Sequence, residues 1–177
     1  MKRKEFWEIW MEDKEKRDSD FEAYLKSKKI KKESETKELI EGHLKKADHN
    51  LKFVKSTIDL KEFNDWAIVS IYYSIYHSSL ALCGSKGYAT KDHSATLLIL
   101  IKEFYEHGLE KEEIDVLGNI SIEKEEVLYY VEARTKRKRA SYSTNINFEK
   151  AEVELLRLKS ISFVNKVKEI VENTNVD

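Results

Sequence analysis

A nearly uncharged stretch in the middle of the chain, residues 64–88, limits most strongly what the sequence can fold into. Its sequence is NDWAIVSIYYSIYHSSLALCGSKGY, and between Trp66 and Ser85 it contains no Asp, Glu, Lys or Arg. Apolar residues fall on every side of the helical wheel, so a helix lying at the surface would leave many of them exposed. The stretch therefore predicts a central, surrounded helix that ends near Gly84 to Gly87, where glycine tolerates the backbone of a helix end.

The same stretch carries polar residues that argue against a membrane span. Between Trp66 and Ser85 it contains five serines, three tyrosines and His77, which make a poor hydrocarbon anchor. Ser70, Ser74 and Ser78 recur every four residues and Ala81 follows nearly in line, so one face of the helix has only small side chains. This face predicts that another helix approaches closely.

The composition favours helices, and its balanced charge gives no sign of a strongly charged partner. The 177 residues include no proline and five glycines, and 32 basic residues nearly balance 33 acidic ones. No global field therefore marks a binder of nucleic acid or membrane, and any electrostatic site must be local. The single cysteine, Cys83, has no intrachain partner, and Glu5 and Glu8 interrupt any secretory signal at the start. We expect a cytoplasmic protein.

Apolar periodicity predicts an all-α fold, an up-and-down bundle of about five helices over residues 33–177. The first helix has a stripe of apolar residues spaced by three or four: Ile40, Leu44, Ala47, Leu51, Val54 and Ile58. The central helix follows, and Asp92 or Thr90 caps a third. A short helix or turn over 109–120 precedes a fourth long helix from Ser121 through Arg134. The last helix begins near Asn147 or Phe148.

Residues 1–32 are predicted to form an additional N-terminal helical arm, separate from the bundle. The arm is densely charged but holds Trp7 and Trp10 on one short helical pattern and an apolar group around Phe21 on a second. Asp18 or Ser19 is the expected cap of that second helix. Two tryptophans are poorly placed in water, so the arm is expected to pack on the main body or on a partner subunit.

The densest charge cluster is RTKRKR, residues 134–139. Such a cluster complements the negative end of a helix dipole, makes a surface soluble, or holds phosphate. Arg134 and Arg137 lie one helical turn apart and can address the same anion, with Arg139 beside them. Tyr142, five residues after Arg137, is placed to stack on a base or to donate to a phosphate. The arginine content and the Ala140-Ser141-Tyr142 that follows favour the holding of phosphate over the other two causes.

The histidines give no metal motif. His43 and His49 lie off the apolar stripe and are expected in solvent, while His77 is expected to bond a neighbouring serine or carbonyl and His93 to cap the third helix. No glycine-rich phosphate loop, His-Glu pair at zinc spacing or Cys/His cluster is present, so we expect no metal and no cofactor.

Several linked motifs in the right order resemble the HEPN domain (higher eukaryotes and prokaryotes nucleotide-binding). The resemblance covers roughly residues 34–173. The matching segments are DWA (65–67), YYSIYHS (72–78), AL (81–82), SKGY (85–88), HS (93–94) and RKRASY (137–142). It implies a helical bundle that forms a homodimer and is often found beside a minimal nucleotidyltransferase in toxin–antitoxin or defence systems. Many such domains are metal-independent ribonucleases.

The sequence departs from the catalytic members of that family. They carry an arginine followed by four to six residues and a histidine, whereas Tyr142 stands at the four-residue spacing after Arg137. Related members without that histidine have Arg-x-x-Ala-Asp-Tyr, which residues 137–142 match except that Ser141 replaces the aspartate. In pairs with a nucleotidyltransferase a motif tyrosine can be adenylylated, and Tyr142 is the candidate here.

The sequence thus predicts an RNA- or nucleotide-binding HEPN-like component of a prokaryotic toxin–antitoxin, defence or stress system, acting with a nucleotidyltransferase-type partner. A metal-independent ribonuclease with an altered active site is one alternative, with Arg137, Tyr142 and His77 as candidate catalytic residues. A non-catalytic helical scaffold, in which the basic turn merely caps a helix, is the other. Whether the chain is an enzyme stays open at this point.

Overall fold

The computed structural model describes residues 5–33, 37–60, 63–119 and 149–174. These residues form helices joined by short connections, together with one small antiparallel ladder. The elements are α1 (Phe6–Glu12), α2 (Lys14–Lys26), β1 (Ile30–Lys32), α3 (Lys37–Thr57), α4 (Asn64–Ser85), β2 (Tyr88–Thr90), α5 (His93–Phe104), α6 (111–119) and α7 (Lys150–Thr174). The prediction of an all-α bundle is confirmed.

Helix α4 lies at the centre, as the uncharged stretch predicts. It packs against α3, α5 and α7, and most of its side chains are buried. It ends at Ser85, and Gly87 has a φ of 75°, a left-handed conformation that turns the chain into β2. Trp66 and Tyr73 on α4 are nevertheless 48% and 37% exposed. The prediction of a helix surrounded on all sides is wrong at these two positions.

The serine face of α4 is the contact surface for α7. Ser74 and Ser78 are fully buried, and the Oγ of Ser74 lies 2.5 Å from the Oγ of Ser160 on α7. The Ser74 hydroxyl donates to the carbonyl of Ile71 at 2.7 Å, so Ser160 is the donor between the two hydroxyls. The predicted close approach of a helix is confirmed, and its partner belongs to the same chain.

The N-terminal segment packs on the bundle through its tryptophans. Trp7 is 2% exposed and donates from its indole nitrogen to Asp115 at 3.1 Å, while Trp10 donates to Asp20 at 2.8 Å. A Cβ on Gly118 would lie 2.6 Å from the Trp7 ring, so the ring rests on the backbone of α6. The boundary between residues 32 and 33 stays a prediction, but the aromatic part of the arm shares the core of the main body.

Two local features of this segment differ from prediction. The cap of α2 is Asp13, whose side chain accepts from the Lys16 amide at 2.9 Å, and not Asp18 or Ser19. Asp18 lies inside the helix and bonds Lys102 on α5 at 2.5 Å. The ladder of β1 and β2 was not predicted either, because a strand of three residues gives too short a pattern to detect.

In the described part of the chain, no helix has the length and apolarity needed to cross a membrane. The predicted fourth long helix, from Ser121 through Arg134, and the predicted start of the last helix at Asn147 or Phe148 lie outside the described residues. Helix α7 presents its predicted apolar side to the core, with Val153, Phe163 and Val167 buried.

Candidate functional site

Most of the candidate residues predicted from sequence lie in the part of the chain that the structure does not describe. Arg134, Arg137, Arg139 and Tyr142 all fall between residues 119 and 149. Among the catalytic candidates, His77 is the one whose surroundings can be described. The described part of the candidate site consists of His77 and the groups around it.

His77 on α4 faces His43 on α3. Their Nδ1 atoms are 3.1 Å apart, and the ring centroids are separated by 5.4 Å. One Nδ1 must carry a hydrogen and donate it, and the other must accept that hydrogen bond. The two neutral rings are therefore in different tautomers. The predictions that His43 lies in solvent and that a serine or carbonyl satisfies His77 are both wrong, because antiparallel packing of α3 on α4 brings the two rings together.

The environment of this histidine pair disfavours positive charge. Burial, followed by His43 and Lys46, lowers the pKa of His77 from 6.5 to about 4. Burial also lowers the pKa of His43. Both imidazoles are therefore neutral near pH 7, where they donate and accept hydrogen bonds but do not attract an anion by charge. Because a general base works best with a pKa near the working pH, His77 is a weak proton acceptor for catalysis.

A second aromatic group surrounds His93 at the start of α5. The phenol of Tyr72 hydrogen-bonds to Nδ1 of His93, and the ring of Tyr76 lies 4.6 Å from the imidazole. Asp92 is the N-cap of α5 and accepts from the Ala95 amide at 2.9 Å. The prediction of Asp92 as a cap is confirmed, and that of His93 as a cap is wrong. Tyr72 is buried, so this group fixes α5 against α4.

Sequence reasoning missed His43, since its partner is 34 residues away on another helix. A weak signal was present: His43 is three residues after Ile40 and four before Ala47, so it borders the buried stripe. Within the described ranges, no group of three or more His, Cys, Asp or Glu side chains is arranged to hold a metal ion.

Comparison with known proteins adds one relationship over most of the chain. No family model matches the sequence. A protein of Methanocaldococcus jannaschii described as "Putative toxin MJ0142" is 31% identical over 153 residues, which make up 86% of this chain and 92% of that protein. Similarity at this level over nearly the whole of both chains shows common descent. The chain therefore belongs to the toxin-like family that this Methanocaldococcus protein represents.

Proposed function

We propose that the chain is a HEPN-like, cytoplasmic component of a prokaryotic toxin–antitoxin, defence or stress system that binds RNA or a nucleotide. The observation that carries the proposal is the 31% identity to a protein described as a toxin over 92% of its length. The helical bundle agrees with the fold that the sequence resemblance implies. In this proposal Arg134, Arg137, Arg139 and Tyr142 hold the ligand, and a nucleotidyltransferase-type protein is the partner.

We propose further that binding occurs without efficient RNA cleavage. The arginine motif lacks its histidine, and the described candidate to replace it, His77, has a pKa lowered to about 4. Proton transfer by a well-matched base contributes about a hundredfold to ten-thousandfold to a rate. A ribonuclease with an altered active site is the second candidate, favoured by one observation: the Nδ1 atom of His43 lies 3.1 Å from that of His77 and can exchange a proton with it.

An RNA-binding and cleavage experiment separates these possibilities. Binding of a labelled single-stranded RNA is measured across a salt series for the wild type and for Arg134→Gln/Arg137→Gln. The double variant should bind more weakly and reduce the slope of log affinity against log salt by about 1.4, at about 0.7 for each phosphate that is no longer neutralised. The control is Lys52→Gln/Lys55→Gln, which removes two exposed charges from α3 and should change both quantities less.

The same samples are tested for RNA cleavage. We expect no cleavage above the buffer control; robust cleavage that disappears in the arginine variant would establish the ribonuclease instead. Equal weakening by the lysine control would show that the basic turn has no special role and would favour the scaffold. Tyr142→Phe should bind normally if the ring stacks, and should block modification if its hydroxyl is the adenylylated group.

A homodimer remains part of the proposal, on the strength of the family resemblance. The two features that suggested it from sequence have partners within the chain: α7 covers the serine face, and Trp7 and Trp10 are buried on the chain's own residues. Light scattering at roughly tens of micromolar tests the proposal, because a modest interface is already filled at such concentrations. A monomer at these concentrations would contradict it.

A further inference from the structure

The last residues of the N-terminal segment, 29–33, run beside the short strand that leads into α5. Here β1 pairs with β2 in an antiparallel ladder, in which Ile30 lies opposite Thr90. The Glu33 amide extends this pairing by donating to the carbonyl of Gly87 at 3.0 Å. Ile30 is 1% exposed and anchors the segment in the core. We call residues 29–33 the strap, because they connect the N-terminal segment to the start of α5.

One hydroxyl connects the strap to the first turn of α5. The Oγ1 of Thr90 donates to the Lys29 carbonyl at 2.8 Å and accepts from the Asp92 amide at 3.1 Å. A hydroxyl has one hydrogen and two lone pairs, so it makes both bonds at once. The carboxylate of Asp92 is shared in the same way. Its Oδ1 accepts from the Ala95 amide at 2.9 Å, and its Oδ2 lies 3.2 Å from the Lys29 ammonium. The N-cap of α5 thus has bonds both to its own helix and to the strap.

The position of this N-cap decides where the next residue, His93, places its imidazole. The Tyr72 hydroxyl bonds to Nδ1 of His93, and the Tyr76 ring, stacked on that of Tyr72, lies 4.6 Å from the imidazole. Tyr72 is 1% exposed and belongs to the core, so its ring has no room to follow the imidazole. The bond therefore lasts only while the first turn of α5 stays in place, and the strap is one of the groups that hold it there.

The strap has few contacts of its own, and the rest of the N-terminal segment is attached separately. Its ladder is three residues long, and Lys29 makes its ion pair at the surface. Just before it, Lys28 has a φ of 60°, a left-handed backbone that is unfavourable for a residue with a Cβ. Trp7 meanwhile holds α1 on the backbone of α6. Short elements with surface hydrogen bonds open locally, so the strap can open while the helices stay folded.

We infer that the strap is a conformational switch for His93. With the strap paired, Asp92 caps α5 and the imidazole is bonded to Tyr72; with the strap open, the first turn of α5 frays and the imidazole leaves Tyr72. The inference goes beyond the proposed function, because it gives the N-terminal segment a role that depends on no ligand. Coupling between two sites is reciprocal, so breaking the bond between His93 and Tyr72 must in turn loosen the strap.

Hydrogen exchange of single amides in the full-length protein, measured by NMR, tests the first direction of this coupling. Thr90→Val removes the hydroxyl and keeps the branched shape of the side chain. Exchange of the Ala95 amide, which Asp92 caps, should become about 2- to 12-fold faster, the factor that corresponds to the loss of one hydrogen bond. The imidazole nitrogen signals of His93, identified by their loss in His93→Gln, should move away from their wild-type positions.

The matched control is Thr57→Val, which removes a hydroxyl that donates to the Phe53 carbonyl at 2.9 Å on α3. It should leave the amide and imidazole signals of α5 unchanged. Lys29→Met is a second variant of the strap, and it should move the same signals in the same direction as Thr90→Val. Circular dichroism checks that each variant is folded. If neither strap variant changes the exchange of the Ala95 amide, the inference is overturned.

The reverse direction is tested from the tyrosine. Tyr72→Phe removes the hydroxyl that bonds to His93 and leaves the residues of the strap as they are. Exchange of the Glu33 amide, which bonds to Gly87 at the end of the ladder, should then become faster than in the wild type. In the double variant with Thr90→Val, the two effects on the logarithm of this exchange rate should combine to less than their sum. An unchanged Glu33 amide in Tyr72→Phe, or full additivity, would show that the strap and His93 move independently and would contradict the inference.

Discussion

Acid should destabilise the fold through His77, because its site disfavours the protonated imidazole. The pKa of His77 is lowered from 6.5 to about 4, chiefly by burial and then by His43 and Lys46. In the unfolded chain the ring takes up a proton near pH 6.5, whereas in the folded protein it does so only near pH 4. The unfolded state thus binds more protons in this window, so the stabilisation is complete above pH 6.5 and is lost as the pH falls to about 4.

The size of the effect follows from the pKa difference. A fall from 6.5 to about 4 corresponds to about 3 kcal/mol, at about 1.36 kcal/mol for each pKa unit. The ring is half-buried and water screens part of its charge, so we expect about 1.5 to 3 kcal/mol. This is a large share of the stability of an ordinary domain, about 5 to 15 kcal/mol.

Urea unfolding between about pH 7.5 and pH 4 measures this contribution. Asparagine at position 77 keeps a hydrogen-bonding group near the position of Nδ1 and cannot titrate. As the pH falls, the free energy of unfolding of His77→Asn should therefore rise by about 1.5 to 3 kcal/mol relative to that of the wild type. His49→Asn is the matched control, since His49 is exposed on α3, and its curve should run parallel to the wild type. The ring protons of His77 in NMR spectra should not titrate until below about pH 5. A constant difference between wild type and His77→Asn across the range would refute this reasoning.

Three further predictions concern the N-terminal segment, and each is measured by urea or thermal unfolding. Trp7→Ala should cost about 3 to 5 kcal/mol, because it empties a buried site and leaves Asp115 without its indole donor; a cost below about 1 kcal/mol would contradict this. Gly118→Ala should cost about 1 to 3 kcal/mol, since its Cβ would lie 2.6 Å from the Trp7 ring, and the double variant should cost less than the sum of the two. Deleting residues 1–32 should leave a helical core that still melts cooperatively but at a lower temperature, because Gly118 and its neighbours lose their cover; a chain that no longer folds would show that the boundary at residue 32 is misplaced.

Long periodic patterns predicted the main helices because they depend only on local spacing. The apolar stripe of α3 has Ile40, Ala47 and Val54 buried, and the uncharged stretch became α4 with its end at Ser85. Each pattern spans five or more turns, so a single exception does not hide it. Short features depend instead on contacts with distant residues, and these were missed.

The α2 cap shows how such a distant contact defeats a local rule. Asp18 is a good capping residue by type, and it precedes an apolar group around Phe21. In the structure Lys102 of α5 takes Asp18 as its partner, and Asp13 caps the helix five residues earlier. The sequence shows both aspartates equally well, but it does not show which of them meets a lysine 84 residues away.

The candidate site was predicted less completely for the same reason. His77 stood out because it lies in a helix whose one charged residue is Asp65, yet its hydrogen-bond partner is His43 on another helix. Burial is the main cause of the lowered pKa of His77, and His43 and Lys46 lower it further. All three depend on the packing of α3 against α4. The arginine cluster at residues 134–139, by contrast, was predicted from charge density and motif order, and it stays a prediction because it lies outside the described residues.

Packing accounts for the scarcity of charge on α4, where the charged residue is Asp65 in the first turn. The serine face is buried under α7, where a long charged side chain could not fit against Ser160. Trp66 and Tyr73 lie on an adjacent side of the helix, about 100° round from Ser74 and Ser78 at the usual helical spacing. They are 48% and 37% exposed, so each ring keeps half or more of its surface packed against the protein. The lack of charge along α4 therefore follows from contacts on several sides of the helix and not from the serine face alone.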